Sequence, residues 1–242
     1  MTTPTNQSPK PPPLPSRYVF EPMPNGVSPV AIIEALLKYP GRIIHELQNN
    51  WRASLSSWLL IFALLGMAMY GLVVGCFSGG AQTWIAPAKL ALGTLLAMLI
   101  CLPSLYIFAC LGGVEARLRT VCGVLLAAVA LGALLLIGFA PVAWLFSQST
   151  DSIAFMGALH LVLWVVGIAF GLRLVYAMVR FLNGAGNQLK LWSFIFILVC
   201  LQMTTTLRPL LGTSKNFLPG EKKFFLAHWY ETIAKANEAK KD

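Results

Sequence analysis

The sequence predicts an all-α fold, a polytopic transmembrane helix bundle with about five spans. Hydrophobic residues make up 57% of the chain, charged residues only 11%, and the mean hydropathy is +0.71. Roughly a quarter of the residues of a soluble domain are charged, so this composition excludes the soluble classes. The net charge of +9 is spread over both ends and the loops, which indicates a membrane surface, not nucleic acid, as the acidic partner.

The N-terminal part, residues 1–52, is not predicted to cross the membrane. Residues 1–27 are rich in Pro, Ser, Thr and Asn and predict a disordered, Pro-rich cytoplasmic arm. Residues 28–52 predict a pair of interfacial amphipathic helices. Ser28-Pro29 is typical of a helix start, and neither apolar stretch is long enough to cross the hydrocarbon.

Five apolar runs follow in a transmembrane domain at residues 57–212. Each approaches or exceeds the roughly twenty residues that a helix needs to cross the hydrocarbon. The predicted spans are 57–77, 88–112, 121–146, 153–176 and 191–212. Residues 213–242 place aromatic side chains at helical spacing opposite lysines, which predicts an amphipathic tail helix on the outer membrane surface.

Basic residues predict the orientation. They are concentrated in the arm, the second-to-third link and the fourth-to-fifth link, whereas the first-to-second link offers only Lys89 and the third-to-fourth link none. The positive-inside rule therefore places the N-terminus in the cytoplasm and, with five spans, the C-terminal tail outside. The lysines of the tail oppose this assignment, although four acidic residues there offset part of their charge.

Glycines and prolines within the spans predict how the helices pack. Four glycines recur in pairs, four positions apart, within the first and fourth spans: Gly71, Gly75, Gly167 and Gly171. Such pairs let helix backbones approach closely, either inside the bundle or at the face of a homo-oligomer or a partner subunit. Pro103 and Pro141 fall inside the second and third spans and predict kinks.

The spans lack the residue sets that catalysis needs. All nine carboxylates fall outside them, and no metalloprotease helix, nucleophile elbow, phosphate loop or dinucleotide pattern occurs. The cysteines show no Cys-x-x-Cys spacing and the histidines are far apart, so we predict no metal, no cofactor and no enzyme activity. His160, the one intramembrane histidine, is expected to hydrogen-bond to a neighbouring helix, with a proton-transfer role as the alternative.

The fifth span carries the one polar constellation. Gln202 and Thr206 are four positions apart, as are Thr204 and Arg208, so hydrogen-bonding groups line two adjacent faces of the helix. The apolar part before Arg208 is about 25 Å long, which sets this residue near the outer interface, where it can snorkel to a phosphate. The alternative is an outward-facing site in which these residues bind an anionic lipid headgroup or a partner's carboxylate.

The C-terminal segment carries a family resemblance. Residues 202–212 read Gln-Met-Thr-Thr-Thr-Leu-Arg-Pro-Leu-Leu-Gly, and Trp229-Tyr230-Glu231 follows. This is similar to the Gln-Met-x-x-x-Leu-Arg-Pro-Phe-x-Gly and Phe-Tyr-Glu pattern of a family of poorly characterised bacterial five-span proteins, and the run at 102–106 resembles that family's second span. The resemblance implies the inner membrane and a cytoplasmic N-terminus, and it points to Gln202 and Arg208, but it brings no known reaction. Yip-type trafficking proteins share the architecture only.

The sequence departs from that pattern at three aromatic positions. Thr205 stands where the family pattern has Trp, Leu210 where it has Phe, and Trp229 where it has Phe. Contacts that those aromatic side chains make in the family are therefore not expected here.

Two functional hypotheses follow. The leading one is an inner-membrane scaffold or accessory subunit that engages a membrane protein or a lipid through its fifth span and outer tail. The alternative is a small channel, permease or lipid-handling subunit with an outward-facing polar pocket. Transport predicts a path lined by Gln202, Thr206 and His160, whereas a scaffold predicts a dry bundle and a stable partner. A bundle without a cavity between the third, fourth and fifth spans would count against transport.

Overall fold

The computed structural model describes residues 20–24, 27–78, 80, 82–115, 117–150, 152–184 and 186–206. Helices account for 87% of these residues, and no strand occurs among them. The all-α prediction is therefore confirmed. Most of the predicted arm and the whole predicted tail helix lie outside the described residues.

The described chain forms seven helices in sequence. They are α1 (Pro29–Lys38), α2 (Pro40–Asn49), α3 (Ala53–Ser78), α4 (Gln82–Leu111), α5 (Leu118–Ser149), α6 (Ile153–Phe181) and α7 (Asn187–Thr206). Helices α3 to α6 are long and apolar enough to cross a membrane, which confirms four of the predicted spans. The described apolar part of α7, Asn187–Gln202, is shorter than these four, and the fifth span stays a prediction.

Helices α1 and α2 close one end of the bundle, which we call the proximal end. Ser28 caps α1, because its hydroxyl accepts a hydrogen bond from Ala31 N at 3.2 Å. Helix α2 packs against α5 and α6, and its Ile43, Ile44 and Leu47 are fully buried. The hydrophobic side of α2 is thus covered by protein, whereas Val30 and Leu37 of α1 are exposed. The predicted position of the pair at a membrane surface stays a prediction.

A buried carboxyl ties the chain before α1 to the proximal end. Glu46 on α2 is only 4% exposed, and its Oε1 accepts a hydrogen bond from Met23 N at 3.1 Å. Phe20 stacks on Phe181 at the end of α6, with ring centroids 4.4 Å apart. Both contacts hold the same segment against the bundle.

Two helices end at the proximal side in the same way. Gly113 and Asn183 adopt left-handed backbone angles, with φ of 79° and 56°. The next residue in each case donates a backbone hydrogen bond five positions back, from Val114 to Ala109 and from Gly184 to Val179. This arrangement satisfies carbonyl groups that the end of a helix leaves without a partner.

Helix α5 is the most buried of the four long helices. It packs between α3 and α6, α4 packs on the other side of α3, and α7 packs along α4. Helices α6 and α7 touch only sparsely, so the five helices form an incompletely closed ring. We call the end of this ring opposite α1 and α2 the distal end.

Glycines set the closest helix contacts. A Cβ on Gly71 of α3 would lie 2.6 Å from Pro87 Cα of α4, and one on Gly171 of α6 would lie 2.9 Å from Ala128 O of α5. Gly167 lies against Gly132, and Gly75 is buried. The glycines found in sequence at 71, 167 and 171 therefore face other helices of the same chain.

Three prolines lie within continuous helices. Pro103 lies within α4 and Pro141 within α5, the helices that correspond to the second and third predicted spans. Pro87 also lies inside α4, because this helix begins at Gln82, well before the predicted start of the second span. Lys89, counted above with the first-to-second link although it falls at the start of the predicted span 88–112, lies about two turns inside α4.

Candidate functional site

An apolar pocket lies at the centre of the ring. Its cavity volume is about 50 Å³, which is room for a few groups the size of a water molecule. Sixteen residues from α3 to α7 line it: Met67, Thr94, Leu125, Ala128, Val129, Gly132, Leu136, Trp164, Gly167, Ile168, Gly171, Leu172, Val175, Trp192, Phe196 and Cys200. The pocket lies between the third, fourth and fifth predicted spans, where the alternative functional hypothesis requires a cavity.

The Thr94 hydroxyl and the Trp192 indole N–H in the pocket wall form hydrogen bonds within the protein. The Thr94 hydroxyl donates to Leu90 O at 2.8 Å. The indole N–H of Trp192 lies 3.3 Å from Cys101 O and 3.2 Å from Ser104 Oγ. An occupant of the pocket therefore meets a hydrocarbon wall, which favours an apolar chain over an ion or a polar solute.

Small residues bring α5 and α6 together beside the pocket. Gly132 and Gly167, each near the middle of its helix, are in direct backbone contact, and Ala128 meets Gly171 one turn further on. On the same helix, α6, the large side chains of Trp164 and Ile168 form part of the pocket wall. The pocket thus lies at the mid-depth of two helices that are long enough to span a membrane.

Helices α6 and α7 both line the pocket but make few contacts with each other. Their outer surfaces are apolar and exposed, at Val165 and Phe170 on α6 and at Leu191, Phe194 and Leu198 on α7. In a bilayer, the material that meets this side of the pocket is hydrocarbon.

A buried polar pair lies next to the pocket. Tyr70 Oη is 2.7 Å from His160 Nδ1, and the two rings meet edge to face with centroids 5.6 Å apart. Tyr70 is 1% exposed and His160 is 8% exposed. The second ring nitrogen, Nε2, is also buried and has no hydrogen-bond partner within the part of the chain that the structure describes. The expectation that His160 bonds to a neighbouring helix agrees with this contact.

The pair lies one helical turn distal to the pocket wall. Tyr70 follows Met67 by three positions on α3, and His160 precedes Trp164 by four positions on α6. Residues at these spacings share a helix face. Because α3 runs toward the distal end and α6 runs away from it, both steps lead in the same direction.

Lys89 is a further buried polar residue of the distal half. It is 1% exposed and lies two positions after Pro87, the residue against which Gly71 packs. Lys89 takes part in an interaction of its own. Among the described residues, no group of three or more His, Cys, Asp or Glu side chains is placed to hold a metal ion.

The predicted polar constellation is only partly described. Gln202 lies near the end of α7 and is engaged in an interaction, and the backbones of Thr204 and Thr206 belong to the last turn. Arg208 lies outside the described residues. Neither Gln202 nor His160 belongs to the wall of the pocket, so the described cavity is not the polar path that a transport role predicts.

Comparisons with family models, with curated protein sequences and with solved structures found no match for this chain. The resemblance to a family of five-span proteins therefore stays a prediction.

Sequence reasoning missed the pocket and the partner of His160. One signal was present, since Tyr70 is a hydroxyl-bearing residue inside an apolar span and buried tyrosines generally need a hydrogen-bond partner. The pairing itself joins positions ninety residues apart. No local pattern indicates it.

Proposed function

We propose that this protein is a multi-pass membrane protein that binds the hydrocarbon chain of a lipid in the apolar pocket lined by the five helices α3 to α7. The lipid-handling form of the alternative hypothesis thus takes precedence over the scaffold. The apolar pocket carries this proposal, because it lies at mid-depth in the spans and is lined by α6 and α7, which make few contacts with each other and have apolar outer surfaces.

The proposal includes α7 as a fifth span. Helix α7 packs along α4, and it buries Trp192 and Cys200 on its inner side while Phe194 and Leu198 are exposed. A helix with apolar residues on both its packed and its exposed side is typical of a membrane span. Its continuation to Thr206 supports the same assignment.

The proposal also includes a cytoplasmic proximal end in a bacterial inner membrane. The described basic residues other than Lys89 belong to the proximal end or to the proximal halves of the helices: Lys38, Arg42, Arg52, Arg117, Arg119, Arg173, Arg180 and Lys190. The positive-inside rule favours this orientation. The C-terminal tail is then extracytoplasmic.

The scaffold hypothesis depends on different residues. It requires Arg208 and the outer tail to engage a membrane protein or a lipid headgroup, and both lie outside the described residues. It stays a prediction, and the proteins and lipids that co-purify with the wild type and with Arg208→Ala in mild detergent test it. Loss of one protein from the variant supports a scaffold, and loss of one anionic lipid class supports headgroup binding.

A pocket-filling substitution tests the proposed function. Ile168→Trp adds volume to the pocket wall, whereas Val165→Trp places the same side chain at an exposed position on the same helix. We expect native mass spectrometry to find lipid retained by the wild type and by Val165→Trp and largely lost from Ile168→Trp. Equal retention by all three proteins would contradict the proposal.

A further inference from the structure

Three basic side chains lie on the outer surface of α6 and α7, in the proximal half of these helices. Arg173 and Arg180 on α6 and Lys190 on α7 are all exposed. We propose that these three residues, which we call the basic cluster, bind the phosphate group of an anionic phospholipid in the proximal leaflet. This inference goes beyond the proposed function, because the lipid lies against the outside of the bundle and not in the pocket.

One contact between α6 and α7 brings the cluster together. Tyr176 lies three positions after Arg173 and four before Arg180, so these residues share one face of α6. Lys190 and Ser193 are three positions apart and are neighbours on the surface of α7. Ser193 Oγ lies 3.3 Å from Tyr176 Oη, which joins the two faces. Lys190 therefore lies beside the stretch of about 11 Å along α6 that separates the two arginines.

Arg173 brings a positive charge into the hydrocarbon region. Its Cα lies about 12 Å along α6 from Phe181, the last residue of that helix. The helix is about 43 Å long and the hydrocarbon about 30 Å thick, so a centred helix places this Cα inside the hydrocarbon edge. Arg173 Cζ lies 5.0 Å from the ring centroid of Phe170, which is exposed. A ring face offsets only part of the cost of an arginine at this depth, and an anionic headgroup drawn toward it offsets the rest.

No carboxylate of α6 or α7 balances the basic cluster. Residues 152–220, which include both helices and the link between them, contain no Asp or Glu. The ion pairs among the described residues, Lys38 with Glu34 and Arg42 with Glu21, use other side chains. A phosphate group supplies negative charge, and a guanidinium binds its oxygens through paired N–H donors. A zwitterionic lipid would bring a further cation to three cations, so an anionic phospholipid is favoured.

The surface distal to the cluster suits the hydrocarbon chains of that lipid. Val162, Val165 and Phe170 are exposed on α6. Val162 lies eleven positions, about three turns, from Arg173, and so lies on the same face of the helix. A phospholipid matches this surface, because its chains continue along the helix from a phosphate at the cluster. An acidic peptide would match the charges only.

Two photo-crosslinking probes test the inference on the full chain in phosphatidylcholine nanodiscs. The probes are phosphatidylglycerol and phosphatidylcholine, which carry the same diazirine-tagged chain and are added at the same low mole fraction. We expect phosphatidylglycerol to label peptides of α6 about fivefold more than phosphatidylcholine, as for one cation near an anionic headgroup. Peptides of α4, which has no basic residue in its proximal half, should show a smaller ratio. Equal labelling of α6 by the two probes would overturn the inference.

Charge variants separate a site from the general attraction of a basic protein for anionic lipid. We expect Arg173→Gln and Lys190→Gln to lower the ratio of the two probes on α6, and Arg173→Lys to give an intermediate ratio, since it keeps the charge and loses the paired donors. Lys38→Gln is the control, because it removes the same charge from an exposed proximal position on α1. Misfolding would lower labelling by both probes alike and leave no specific loss of phosphatidylglycerol. If Lys38→Gln lowers the ratio as much as Arg173→Gln does, the attraction is general and the inference is wrong.

Discussion

Gly132 of α5 and Gly167 of α6 meet without a side chain between them: a Cβ on either residue would lie 3.4 Å from the carbonyl oxygen of the other. This contact joins α5 to one side of the pocket. One turn further, the approach of Gly171 to Ala128 is closer still, at 2.9 Å from an added Cβ to the carbonyl oxygen. The stability of the bundle should therefore respond differently to the same substitution at these positions.

Gly171→Ala is expected to destabilise the protein by about 1–3 kcal/mol, because its new methyl group meets a backbone oxygen that cannot move independently of α5. Gly167→Ala has space at ordinary contact distance and should change the free energy of unfolding by less than about 0.5 kcal/mol. Unfolding in mixed micelles, followed by circular dichroism, measures both. Gly138→Ala is the control, since nothing lies within 4 Å of an added Cβ there. Equal losses at positions 171 and 138 would contradict the prediction.

The hydrogen bond between Tyr70 and His160 should be measurable as a coupling energy. We expect a double-mutant cycle of Tyr70→Phe and His160→Phe to give a coupling of about 0.5–1.7 kcal/mol, the range found for hydrogen bonds between membrane helices. Each single variant leaves one buried polar group without its partner, whereas the double variant removes both. Strictly additive effects would show that the contact does not stabilise the bundle.

Glu46 should hold the segment before α1 in place. In Glu46→Ala, the Met23 amide loses its acceptor, and we expect its hydrogen exchange to become about tenfold faster. Exchange measured by mass spectrometry on a peptide containing Met23 provides the test. Glu34→Ala is the matched control, because Glu34 pairs with Lys38 at an exposed site where an ion pair contributes little. Unchanged exchange in Glu46→Ala would leave the Phe20–Phe181 stacking as the main anchor.

The proposed orientation predicts which loops react from outside the cell. The test uses a cysteine-free background and a membrane-impermeant maleimide. In intact cells, this reagent should label Ser152→Cys, which lies at the distal end of the protein. Glu115→Cys at the proximal end should be labelled only after permeabilisation. Both positions are exposed, and the basic residues gathered at the proximal end are the physical reason for the expected order. Labelling in the opposite order would place the proximal end outside.

Local patterns predicted most of the fold. The bilayer thickness fixes the length of an apolar run, so hydropathy alone located the four long helices, although α4 begins at Gln82, before the predicted start at residue 88, and so includes Pro87. An interior proline such as Pro87 is tolerated in a membrane helix, because other groups satisfy the backbone that it leaves unpaired, and so it does not end α4. Glycine spacing predicted close approach but not the partner helix of any glycine.

The sequence by itself determined that this protein is a bundle of apolar helices, because composition, run length and helix-starting residues act on neighbouring positions. Only the tertiary structure decided that Tyr70 meets His160, that Gly132 meets Gly167, and that a pocket lined by α3 to α7 remains inside the bundle. Each of these depends on which helix lies beside which. In a membrane, that choice follows from the fit of whole surfaces, since the lipid surrounding the helices is as apolar as the side chains they bury.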